Sequence, residues 1–194
     1  TTWSGEVYLG RNLKVRESTL TIMAGTQVFF CGEFSLEIGD LFNPARLVAV
    51  GSASEPIVFD SAAAGTKWKS LYFGDARSEG SIVQYMELKN GGGNDPTADI
   101  GALEISNRSY VITRTTPIVN YVTIMDSGAY GVRLDVNEEN DRTPAALTNL
   151  TIAGSAAAPI ISDAAGVSGL GQELTFSNNM TPTIQVRGNN LNGG

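Results

Sequence analysis

Between Leu13 and Ser61 five short strand-prone runs follow one another: Leu13–Val15, Leu20–Ile22, Gln27–Phe30, Arg46–Val50 and Pro56–Phe59. Gly, Ser and Pro separate them, and no separator is a two-residue Asn-Gly or Asp-Gly turn. Without such turns, consecutive runs have no tight route to antiparallel pairing. Short β runs that do not pair with their immediate neighbours point to a ribbon that coils, each run meeting its counterpart one turn later.

The runs alternate in polarity. Ser18–Ile22 places Leu20 and Ile22 on one side and Thr19 and Thr21 on the other, and Val28 and Phe30, then Phe34, Leu36 and Ile38, continue the inward row. Trp3 is expected to cover an end of the core. Charged residues make up only 17% of the chain and glycines number 22, which suits an all-β secreted protein better than a helical one. The 194 residues fit one domain, taken as 1–194. The chain opens at Thr1 without a charged-then-apolar leader, as expected of a processed or excised segment.

Charge and cysteine usage exclude several functions. A net charge of −7 argues against a nucleic-acid partner. No stretch of about 18 apolar residues is present, so no membrane insertion by a helix is expected. The chain has no His, which removes Ser-His-Asp catalysis and the commonest zinc ligands. The single cysteine, Cys31, ends the run Val28–Phe30 and reads as a small buried hydrophobe; a nucleophilic role needs a base beside it.

The second half repeats itself. Tyr85-Met86-Glu87-Leu88 lines up with Tyr121-Val122-Thr123-Ile124, then with Asn149-Leu150-Thr151-Ile152 and with Leu174-Thr175-Phe176. Thr123 to Thr151 is 28 residues and Thr151 to Thr175 is 24, a period that fits one turn of a β-solenoid with loop insertions. The expected inward residues are Ile82, Leu88, Leu103, Ile105, Ile118, Ile124, Val132, Leu134, Leu150, Ile152, Ile160, Leu174, Phe176, Ile184 and Val186. The asparagines Asn90, Asn120, Asn149, Asn178 and Asn179 are expected to stack as one ladder, and a short helix is expected across Ala62–Gly65.

Four segments carry a family likeness: Ala24-Gly25-Thr26, Leu47-Val48-Ala49-Val50-Gly51-Ser52, Pro56-Ile57-Val58-Phe59-Asp60-Ser61 and Trp68-Lys69-Ser70-Leu71-Tyr72-Phe73. In this order they resemble the opening coils of right-handed parallel β-helix domains of bacterial secreted and cell-surface proteins, the pectin-lyase-like superfamily. The match is close over residues 13–75 and looser beyond. Ala24 stands in place of the usual Pro, Ser52 of Thr and Leu71 of Ile. The resemblance implies an all-β, right-handed parallel β-helix (solenoid), and the repeat period gives it about seven or eight coils. Its two open ends call for caps from another domain or chain.

For function, the same resemblance leaves three classes. The first is a non-catalytic secreted or surface-displayed module that acts as a scaffold or binds a polysaccharide or another cell-surface component. The second is a polysaccharide lyase or glycoside hydrolase. The third is a polymerising structural rod. The enzymes of this kind use either acidic Ca²⁺ ligands with an Arg or Lys base, or paired Asp. Here Asp60, Asp75, Asp126 and Asp135 stand apart, and Arg108, Arg114 and Arg133 are the candidate bases, so the non-catalytic class is preferred.

Its sugar-stacking residues would be Trp68, Tyr72, Tyr85, Tyr121 and Tyr130; the competing reading makes these aromatics core residues or stacking ladders. No cofactor is expected beyond Ca²⁺ at Asp135, Asn137, Glu139 and Asp141, whose alternating oxygen ligands suit that ion, although a solvated polar loop has the same composition.

Overall fold

The computed structural model describes residues 1–40, 42–74, 78, 80–107, 117–136 and 146–188. The described residues are all-β apart from a 3-10 helix at Ala164–Gly169. Every strand pair among the described residues is parallel, and no strand pairs with its neighbour in sequence. That is the outcome expected of β runs lacking hairpin turns, and the pairing fits a β-solenoid.

In the first part of the chain each strand pairs with the third strand after it. Thus β1 (Thr2–Trp3) pairs with β4 (Ser18–Ile22) and β4 with β7 (Ala45–Val50). Likewise β2 (Glu6–Leu9) pairs with β5 (Gln27–Phe30) and β5 with β8 (Ile57–Ser61). The third series is β3 (Leu13–Val15), β6 (Leu36–Ile38) and β9 (Leu71–Phe73).

From β10 (Ile82–Lys89) onward two series fuse. Its first half pairs with β7 and its second half with β8, so one strand spans what had been two separated by residues 51–56. Tyr85 alone turns the corner, with φ of 50°. The same corner recurs at Tyr121 in β12 (Ile118–Met125) and at Asn149 in β14 (Ala146–Ala153), with φ of 53° and 51°. β16 (Leu174–Ser177) then pairs with the second half of β14. The other sheet continues from β9 through β11 (Gly101–Asn107), β13 (Tyr130–Val136) and β15 (Ile160–Asp163) to β17 (Gln185–Arg187).

Like residues stack on like inside. Val28, Phe59, Leu88, Ile124 and Ile152 form one fully buried column, and Leu36, Leu71, Leu103, Val132 and Ile160 another. The threonines 123, 151 and 175 are register partners, so the spacing read from the sequence is the true repeat. Trp3, Val7, Leu13 and Val15 lie half-buried against the core at the end formed by the first strands, in keeping with the expectation for Trp3.

Several expectations are corrected. Ile118 is 47% exposed and Ile82 half-exposed, while Val83 and Val119 beside them are buried. Counting by twos from Leu88 or Ile124 fails there because the left-handed tyrosine between them shifts the alternation by one, and a one-residue slip swaps faces. Val186 is exposed, and Leu174, Phe176 and Ile184 are half-buried, because among the described residues no strand stacks beyond β16 and β17.

Cys31 is exposed rather than buried: Phe30 points inward, so the next residue points out. Residues 62–65 form a bend and turn instead of a helix. The asparagines make no single ladder. Asn149 donates to Asn120 Oδ1 at 2.7 Å, Asn90 and Asn178 occupy left-handed corners, and Asn179 donates to Ile152 O.

Candidate functional site

Tyr85 and Tyr121 occupy the same corner on successive strands, so their side chains project from the fold one above the other. Their ring centroids are 4.7 Å apart and the planes differ by 4°. A left-handed backbone costs a residue with a Cβ about 1–2 kcal/mol. A stacked ring pair returns about 0.5–1.5 kcal/mol. The stack thus offsets part of the cost of two left-handed corners, a conformation that recurs at Glu17, Asn90, Asp126, Asn149, Glu173 and Asn178.

The stack is open on one side. The next corner residue is Asn149, too short to extend it, and Tyr121 remains 47% exposed. The rings border a groove of about 250 Å³ lined also by Pro56, Glu87, Thr123, Asn149 and Thr151. Glu87, Thr123 and Thr151 are consecutive register partners, so one carboxylate and two hydroxyls stand in a row at strand spacing beside the rings. Thr148 and Asn149 both donate to Asn120 Oδ1, at 3.1 and 2.7 Å, which fixes the asparagine side of the groove. Chemically this is an aromatic platform with flanking hydrogen-bonding groups.

Of the five aromatics expected to contact a ligand, only Tyr85 and Tyr121 come together. Trp68 is fully buried; it stacks on Phe30 at 4.3 Å with planes 9° apart and donates its Nε1–H to Lys89 O at 2.6 Å. It is a core residue, and the expectation of sugar contact there is corrected. Tyr72 and Tyr130 are half-buried on strands of the other sheet, β9 and β13, and the Tyr130 hydroxyl bonds to Gln185 Oε1 at 3.2 Å.

The other concentration of charge lies on β11, β13, β15 and β17. Arg133 contacts Asp135 at 2.9 Å and Glu104 and Asp99 at 3.3 Å each. Its Nε, though near Asp99, lacks hydrogen-bond alignment. Arg187 reaches Asp99 at 2.6 Å, Asp163 at 3.2 Å and the Leu134 carbonyl at 3.2 Å. Glu104 and Asp135 are 6% and 2% exposed.

Asp135, expected as a calcium ligand, is thus engaged in a buried ion pair with Arg133. The other three expected ligands, Asn137, Glu139 and Asp141, lie outside the described residues, as do Asp75, Arg108 and Arg114. Among the described residues no group of His, Cys, Asp and Glu has the arrangement of a metal site. Sequence reading missed Glu104, Asp163 and Arg187, and the meeting of Asp99 with Arg133, because these depend on strand register and on a bend 34 residues upstream of Arg133. The alternation of Glu104 between the inward Leu103 and Ile105 was the only available signal.

Burial pushes the Glu104 carboxyl above the usual glutamate range, against the hydrogen bond from Ser70 and the charges of Arg133 and Lys69. Burial also opposes the Arg133 charge, but Asp135, then Asp99 and Glu104, outweigh it and raise its pKa. A carboxyl with a raised folded pKa adds stability below its unfolded value and loses it as pH rises through the folded one. Thermal unfolding of the wild type and of Glu104→Gln is therefore expected to diverge: as pH rises above the usual glutamate range the wild type loses ground relative to the variant. A difference independent of pH would show that Glu104 is ordinary in the fold.

The chain matches no protein-family model, no curated protein and no solved structure. No helix among the described residues is long and apolar enough to cross a membrane.

Proposed function

We propose that this chain is a right-handed parallel β-helix of seven coils, of the pectin-lyase-like type, and that outside the bacterial cell it acts as a non-catalytic module binding a glycan at Tyr85 and Tyr121. The seven-stranded series from β3 to β17 supports the coil number. The observation that carries the function is the stacked tyrosine pair, half-buried at Tyr85 and 47% exposed at Tyr121, beside a row of hydroxyl and carboxylate groups. The C–H faces of a pyranose ring are apolar and match the electron-rich face of tyrosine, while the sugar hydroxyls match the row at Glu87, Thr123 and Thr151. Stacking of this kind requires no metal or cofactor.

The enzyme reading has less support. Its carboxylates and basic residue do come from adjacent strands at Arg133, but they are buried and tied to each other rather than turned to a cleft. The half-buried Trp3, Leu13 and Val15 favour a cap from another domain or chain over the first strands.

Tyr121→Asn tests the binding function. Asn149 already occupies the equivalent left-handed corner, and asparagine tolerates that conformation, so the variant is expected to keep the wild-type unfolding midpoint. Affinity electrophoresis in gels containing polysaccharides should show the wild type retarded and the variant not, with at least about a tenfold loss of affinity. Equal retardation of both proteins would overturn the assignment of this groove. Release of reducing or unsaturated ends from any polysaccharide would overturn the non-catalytic reading.

A further inference from the structure

A second ring pair with one exposed member lies on the same sheet. Tyr8 on β2 and Phe29 on β5 are register partners whose centroids are 5.2 Å apart with planes inclined by 29°, and Tyr8 is 60% exposed. Their side chains point outward, because Val28 and Phe30 beside Phe29 are buried. Only β8 separates this pair from β10, where Tyr85 stands. The register places Tyr8 and Phe29 in the column of Asp60 and Lys89, four residues along the strand from Tyr85. Three strand spacings one way and four residues the other put the two platforms about 20 Å apart on one outer face.

The surface between them is polar and negative. Val58 and Glu87 lie in one column on this path and Asp60 and Lys89 in the next. Glu6 stands beside Tyr8 and accepts a hydrogen bond from its hydroxyl at 3.1 Å. Both lysines in the area are engaged: Lys89 with Glu87 at 2.6 Å, and Lys67 with Asn90 Oδ1 at 3.0 Å and the Asp126 carbonyl at 2.6 Å. Three carboxylates, Glu6, Asp60 and Glu87, thus border the path in a chain of net charge −7.

A protein partner would need a contiguous, largely desolvated patch of about 800 Å² with an apolar centre. Two small ring platforms with charged side chains between them do not offer that. A sugar chain does suit them, since it presents apolar ring faces at intervals and hydroxyls between. The carboxylates Glu6, Asp60 and Glu87 disfavour a polyuronate, whose like charges would meet them.

We infer that the ligand is an uncharged glycan chain that bridges Tyr85–Tyr121 and a second platform, Tyr8–Phe29, crossing the sheet obliquely. The inference rests on the glycan-binding reading of the first groove and adds to it the ligand's charge class, its minimum length and a second contact point. A span of about 20 Å calls for roughly four or more sugar rings.

The test is calorimetric titration of the intact chain with hexamers and dimers of β-1,4-glucose, β-1,3-glucose, β-1,4-mannose and β-1,4-xylose, and with hexagalacturonate. At least one neutral hexamer should bind about tenfold or more tighter than its dimer, and tighter than hexagalacturonate by a similar factor. Tyr8→Ala is an exposed truncation that should leave the circular dichroism unchanged and lower the unfolding midpoint by no more than the loss of one ring stack. It should cut hexamer affinity about tenfold while sparing the dimer.

If the neutral hexamer binds and Tyr121→Asn abolishes it but Tyr8→Ala does not weaken it, the first groove stands and the bridging inference fails. Tighter binding of hexagalacturonate would overturn the charge assignment. Binding of no oligomer would overturn both readings.

Discussion

Replacing Arg133 by Ala is expected to lower the stability of this protein by about 3–5 kcal/mol, the usual result of removing one partner of a buried ion pair. The guanidinium holds Asp135 and Glu104, whose side chains are only 3% and 8% exposed, and it also contacts Asp99. Without it, two buried carboxylates lose their cation while remaining far from water. Burial already pushes the Glu104 carboxyl up, and without the guanidinium it takes up a proton more readily, so the deficit should be larger near pH about 8 than near pH about 5.

Urea unfolding of wild type and Arg133→Ala at both pH values reads this directly. Replacing the whole set by apolar residues, as in Arg133→Met with Glu104→Leu and Asp135→Leu, should recover most of the loss, because no buried charge is then left alone. A single variant with unchanged stability at high pH would mean that the network is open to solvent. Its place in the fold explains why it matters: Asp99 also binds Arg187, so the cluster fastens β17 to β13 and to the bend before β11.

The second large effect is expected at Trp68. Truncation to Ala removes a fully buried indole that stacks on Phe30 and meets Phe59 edge-on at 6.1 Å, and it leaves the Lys89 carbonyl without its donor. Large-to-small changes of this kind cost about 3–5 kcal/mol. The backbone around Trp68 also carries the next loop, since its carbonyl accepts from Gly93 N at 2.9 Å and its own N–H donates to Asn90 O at 3.0 Å.

Trp68→Phe should keep the ring stack, lose the hydrogen bond and sit between wild type and Trp68→Ala in denaturant midpoint. Glycan affinity, measured where each variant is folded, should not change. A variant with wild-type stability and lost binding would return Trp68 to the surface role that its aromatic character suggests.

These two residues show where one-dimensional reading reaches its limit. Tyr85, Tyr121 and Trp68 look alike as aromatic candidates in a sequence. Two are at corners and one is inside, and the difference is set by backbone conformation and by which strand lies above. The calcium expectation at Asp135 had the right composition, yet the neighbour that decides its role is Arg133, two residues away on the same face of the strand. Tyr8 and Phe29 are 21 residues apart in the chain and gave no joint signal, although their ring pair follows directly from parallel register.

The sequence by itself determined the kind of fold. Short alternating runs without hairpin turns dictate parallel, coiled pairing, because each strand must bury one face and none has its chain neighbour for a partner. The spacing of Thr123, Thr151 and Thr175 determined the repeat, and the columns Leu88–Ile124–Ile152 and Leu103–Val132–Ile160 follow from it.

Only the tertiary structure decided the phase of those columns and the location of the site. A left-handed residue within β10 and β12 reverses the alternation on one side of the corner, which sends Val83 and Val119 inward and Ile118 outward. The same corner projects Tyr85 and Tyr121 from the sheet and stacks them. Local propensity does not encode that conformation for tyrosine; it persists because the strands on either side are held by their partners in the rest of the fold.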